Sequence, residues 1–116
     1  MTMAALKIQS LECIDQNETT QDEPYLNFNG TKIWSGDMDQ GDTVNLSHLG
    51  PFLFDGSADL SLFEEDNPGF PLFDRNDHVG TVTIHDYDAP GGNFAIDFNL
   101  DGHYRALVDV LGVSLT

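Results

Sequence analysis

Basic residues are scarce in this chain: 4 Lys and Arg stand against 20 Asp and Glu, for a formal net charge of −16. Nucleic acid needs basic surface to neutralise phosphate, so that class of partner is excluded. Attraction to an anionic membrane through the chain's own charge is excluded for the same reason. Cysteine occurs once, at Cys13, which rules out an intramolecular disulfide and leaves a thiolate zinc site without partners. A small core side chain is the expectation for Cys13. No stretch approaches the roughly 20 apolar residues of a helical membrane span. Met1 to Leu6 lacks the basic start and apolar run of a secretory signal, which leaves the compartment open between intracellular and secreted with the signal removed. A helical period with caps is missing throughout.

Alternation is present instead. Leu6 to Cys13 reads as a strand with a slip near Ser10. Tyr25 to Phe28 and Thr31 to Trp34 flank Asn29-Gly30, a pair that readily takes the positive φ angles of a type I′ hairpin turn. Thr43 to Leu46, Ala58 to Phe63 and Val79 to Ile84 follow as further strands. Phe94, Ile96, Phe98 and Leu100 give the clearest alternation, ending at Asp101-Gly102, and Tyr104 to Val110 returns as the last strand. The expectation is one domain over residues 1–116, all-β, an eight-stranded antiparallel β-sandwich.

The acids are unevenly placed on that framework. Antiparallel strands alternate direction, so every second connection emerges at the same end. Connections 14–23, 35–42, 64–78 and the turn near 101 carry Asp15, Glu18, Asp22, Glu23, Asp37, Asp39, Asp42, Glu64, Glu65, Asp66, Asp74, Asp77 and Asp101, 13 of the 20 acids. The opposite end, with 29–30, 47–57 and 85–93, has only Asp55, Asp86 and Asp88. Carboxylates gathered in this way repel one another. Asp also outnumbers Glu by 15 to 5, and Asp favours turns and oxygen-ligand sites. Calcium, which takes 6–8 oxygen ligands, would neutralise such an end.

Four segments carry a family likeness. Asp15 followed by Glu23-Pro24-Tyr25-Leu26, then Leu62-Phe63-Glu64-Glu65-Asp66, then Asn76-Asp77-His78-Val79-Gly80 resembles the C2 domain, the calcium-dependent lipid-binding sandwich, over roughly residues 6 to 85. The resemblance implies a C2-like sandwich whose calcium ligands are Glu23 in the first loop, Glu64 and Asp66 as the acidic pair of the third, and Asp77 as its closing acid. Asp15 is the nearest match to the leading ligand of the first loop, and Asp22, Asp74 and Glu65 are second-rank candidates. Asp66, after the fifth strand, is expected to matter most. The chain departs from the family in having Glu at two Asp positions and a longer third loop, Asn67 to Phe73. A calcium-dependent phospholipid surface or protein partner is what the resemblance implies beyond the ion.

Other chemistry finds little support. Asp97 to Tyr104 matches the first half of an EF-hand loop, but Val108 stands where a bidentate Glu is required, so a hairpin is favoured. The four histidines fall on no metal-ligand spacing, and Ser47, Ser57 and Ser61 lack a nucleophile-elbow context. A non-catalytic protein is the expectation. Phe70, Leu72 and Phe73 form an apolar group in the long loop, either a contact patch or a cap over the sandwich end. Two readings without calcium stay open: an acidic interaction or inhibitor protein that mimics a polyanion, and a salt-adapted domain whose acids only hold water.

Overall fold

The computed structural model describes residues 3–16, 23–65, 76–89 and 91–113, without the side chains of Asn76, Asp77 and Asn93. Among these residues nine β-strands pair antiparallel: β1 (Met3–Asp15), β2 (Pro24–Phe28), β3 (Thr31–Ser35), β4 (Thr43–Asn45), β5 (Phe52–Asp55), β6 (Ser57–Glu65), β7 (Asn76–His85), β8 (Gly91–Phe98) and β9 (His103–Val113). One sheet has the order β4-β1-β9-β8, with β5 also on β1; the other runs β3-β2-β6-β7. The all-β antiparallel sandwich is therefore the architecture. Among the described residues the strands already number nine, more than the expected eight.

The additional strand is β5, which lies inside the segment 47–57 read from sequence as a connection. Phe52-Leu53-Phe54 is a short apolar run between Gly50-Pro51 and Gly56, and such a run has no legible period. Phe54 is buried on the core side, whereas Leu53 is 59% exposed on the other face. Inserting a strand should reverse the end at which every later connection emerges. It does not do so here, because β4 and β5 run in the same direction along one edge of β1. Glu12 faces Thr43 and Ser10 faces Asn45, then Leu6 faces Phe52 and Met3 faces Asp55. The link between β4 and β5 is a sidestep, and the expected segregation of the connections survives.

The inward side chains follow the alternation. On β1 they are Leu6, Ile8, Leu11 and Cys13, with the step of three between Ile8 and Leu11 absorbed by an irregularity between Ile8 and Ser10. This is the slip expected near Ser10. Leu26 and Phe28, Leu60 and Leu62, Val79 and Ile84, Ile96 and Phe98, and Tyr104, Ala106, Val108 and Val110 complete the two apposed faces. Each fully buried Leu or Val side chain contributes about 1.5–3 kcal/mol relative to exposure, so the interleaved core is what holds the sheets together. Cys13 is buried in it, as expected.

The turns behave as their residues dictate. Asn29 at φ 49° and Gly30 at φ 83° make the β2–β3 hairpin. β8 and β9 form a second hairpin in which Phe98 faces Tyr104, so strands frame the Asp101-Gly102 turn and the EF-hand alternative does not apply. Gly80 allows a close approach between the sheets: a Cβ there would stand 3.1 Å from Phe98 Cα. Beside it, Leu100 N–H donates to the Val79 carbonyl at 2.8 Å. The two edge strands β7 and β8 are thereby joined at one end.

Candidate functional site at the acid-rich end

Strand pairing gathers acids at one end of each sheet, and the Leu100–Val79 hydrogen bond holds those two ends side by side. In one sheet Pro24 faces Glu64, and Glu64 in turn faces Asp77. Glu65 N–H donates to the Glu23 carbonyl at 3.0 Å, which continues the ladder past the end of β2. In the other sheet Asp15 faces His103, beside the turn that carries Asp101. The segment 36–42 is tied to the same end. Cys13 N–H donates to the Asp42 carbonyl at 2.9 Å, and Gly41 N–H to the Cys13 carbonyl at 2.8 Å. Gln40 N–H donates to Gln16 Oε1 at 2.8 Å. Asp42 closes its own turn by accepting from Asp39 N–H at 2.8 Å.

Asp15, Glu23, Glu64, Glu65 and the backbone of Asp77 therefore share one end of the sandwich, Glu23, Glu64, Glu65 and Asp77 on neighbouring strand ends of one sheet and Asp15 at the end of β1 in the other. Asp22, Asp66 and Asp74 lie outside the described residues, as do Phe70, Leu72 and Phe73. Asp15, Glu23 and Glu65 are exposed. Among the described residues no three His, Cys, Asp or Glu side chains stand close enough together to hold one ion. Of the eight expected ligands, the described side chains are those of Asp15, Glu23, Glu64 and Glu65.

Glu64 differs from its neighbours. It continues the inward phase of Ala58, Leu60 and Leu62, and at 3% exposure it is the one buried charged side chain among the described residues. A carboxyl group removed from water needs polar partners. Tyr104 Oη, on the opposite sheet, supplies one by donating to Glu64 Oε1 at 3.2 Å. Tyr104 itself is fully buried at the start of β9. From the sequence it is legible only as a strand residue. The available signal was its inward phase beside an acidic turn, because a buried phenol hydroxyl requires a partner.

The outer surface near this end carries a compact ionic group. Asp97 Oδ1 accepts from His103 Nε2 and from Arg105 Nε, each at 2.9 Å. The hydrogen bonds from His103 and then from Arg105 hold the Asp97 carboxyl below its ordinary value. Arg105 thus meets an acid of β8 rather than the loop carboxylates. Lys7 is used elsewhere, on the carbonyls of Ser47 and Leu49. Lys32 lies 4.3 Å over the Tyr25 ring.

Compared with known proteins, the chain matches no protein-family model and no curated protein sequence.

Proposed function

We propose that this chain is a non-catalytic, C2-like calcium-binding module. Asp15, Glu23, Glu64, Asp66 and Asp77 serve as ligands, with Asp22, Asp74 and Glu65 in supporting positions. The observation that carries the reading is the continuous ladder at one end, in which Glu23 bonds Glu65 while Glu64 lies opposite Asp77. Neighbouring strands run about 4.8 Å apart, within reach of carboxylates that share a cation. Glu64 brings a side chain already oriented by Tyr104, so less conformational freedom is lost when an ion binds. Each calcium ion removes two units from a formal charge of −16 and relieves the repulsion between the loops.

The test is a thermal melt in EDTA and in millimolar calcium. An ion that binds only the folded state stabilises it by about 2.7 kcal/mol at a hundredfold excess over its dissociation constant. A rise in midpoint with calcium, absent with equal ionic strength of potassium chloride, is expected. An unchanged midpoint rejects the reading. A calcium-dependent phospholipid surface or protein partner would be engaged through the same loops.

A second reading is favoured by the exposure of Asp15, Glu23, Asp37, Asp39, Asp42 and Glu65. An acidic end presented to solvent could occupy a basic partner, as a polyanion mimic does. It requires free carboxylates, so calcium would release the partner rather than recruit it. A pull-down with and without EDTA separates the two. A purely salt-adapted surface would spread its acids evenly, contrary to their gathering at one end.

A further inference from the structure

Away from the acid-rich end, the sandwich is open along one side. β7 and β8 are the edge strands of their sheets on that side, and they are joined at the top by the contact of Gly80 with Phe98 and the Leu100–Val79 hydrogen bond. Below that closure a cleft of about 210 Å³ lies between residues of the two strands. Its walls are Val82, Ile84, Phe94 and Ile96, and its floor is Val108 and Val110. At roughly 30 Å³ for each water-sized group, the space suits a body of about six or seven non-hydrogen atoms.

One charged group lines this apolar space. Asp88 belongs to the 3-10 turn Asp86–Asp88, and its Oδ2 accepts from His85 N–H at 3.0 Å. That bond holds the carboxylate of a lining residue in a fixed position on the turn. Phe94 reaches the same place: a Cβ added to Gly91 would lie 2.4 Å from Phe94 Cζ and 2.6 Å from the Asp88 carbonyl oxygen. The ring, 40% exposed, therefore rests over the Gly91 backbone beside the turn. A carboxylate and an aromatic ring at the rim of an apolar cleft are the two groups that attract an organic cation. An anion of the same size would be repelled by Asp88 and by a net charge of −16.

We propose that the cleft between β7 and β8 binds small amphipathic organic cations. The ammonium group sits between Asp88 and the Phe94 ring, and an alkyl or aryl body of about six carbons lies against Ile84, Ile96 and Val108. This site is separate from the calcium reading and does not depend on it.

The probes are hexylammonium, ammonium and hexanoate, titrated at matched ionic strength into the ¹⁵N-labelled full chain and followed by amide shifts. Hexylammonium is expected to move the amides of 82–84, 88 and 94–96, while ammonium and hexanoate leave them in place. Asp88→Asn should weaken hexylammonium binding about fivefold or more, the size expected for loss of a partly exposed ion pair. Asp55→Asn, an acid at the end of β5, should stay within about twofold. Shifts confined to the acid-rich end, or equal shifts with ammonium, would mean unspecific attraction by bulk charge and overturn the proposal. Undisturbed cleft amides, or full affinity in Asp88→Asn, would overturn it as well. The wild-type shift map decides the question even if the variant fails to fold.

Discussion

The Tyr104 hydroxyl donates to Glu64 Oε1 across the sandwich, one residue from the start of β9 and the other at the end of β6. The bond ties the two sheets at the end where the acids gather. Tyr104→Phe keeps the ring and removes one donor to a buried carboxyl. A loss of about 1–2 kcal/mol is expected, measured by urea denaturation in EDTA with the m-value unchanged. A loss within experimental error would show that the bond does not hold the end together.

Calcium affinity separates Glu64 from the bulk charge. Glu64→Gln and Glu23→Gln are each expected to weaken calcium by at least an order of magnitude, about 1.4 kcal/mol or more. Asp55→Asn removes the same unit of charge from the opposite end and should stay within about twofold. Calorimetric titration reads all three. Equal losses would mean that the ion is drawn by net charge rather than by a set of ligands.

A side chain at Gly80 should be costly, because the neighbour that must give way is the Phe98 backbone. The 3.1 Å approach of its Cβ position to Phe98 Cα leaves a new methyl group pressed against backbone. Gly80→Ala is expected to cost about 1–3 kcal/mol by overpacking. Gly112→Ala, where a Cβ meets nothing within 4 Å, is the reference and should be close to neutral. Chemical denaturation of the two variants gives the comparison.

Asp97 makes a pH-dependent contribution of known sign. Its folded pKa is lowered from an ordinary value of 3.8, first by the His103 bond and then by Arg105. A lowered folded pKa gives stability that is fully present above the unfolded value and is lost as pH falls through the folded one. Asp97→Asn should therefore be less stable than wild type at pH 6, with the difference vanishing in strong acid. The effect is small because the group is 41% exposed to solvent, and added salt should shrink it further. Denaturation midpoints of both proteins across pH 2 to 6 would reveal a difference of the opposite sign, if there is one.

Much of the local structure is legible in short stretches of residues. Asn29-Gly30 specifies its hairpin because the pair readily takes two positive φ angles in succession, and the resulting turn matches the twist of the flanking strands. The step from Ile8 to Leu11 announces an irregularity, since two inward side chains cannot be three apart on a regular strand. Leu60, Leu62 and Glu64 share one phase, which already directs Glu64 inward. Phe52-Leu53-Phe54 was not legible, because a short apolar run suits a buried strand or a packed connection equally well. The direction of β5 was less legible still, being set by which edge of β1 was free to receive it.

By itself, the sequence determined the strand class, the turns, the inward phases and the excess of carboxylates, because these depend on neighbouring residues and on composition. The tertiary structure alone decided which strand ends meet. The partnership of Glu64 with Tyr104, 40 residues apart, follows from the apposition of two sheets. So does the closure of Gly80 on Phe98, which leaves the cleft beneath it. Such long-range contacts arise from packing the whole core at once, so no local run of residues encodes them.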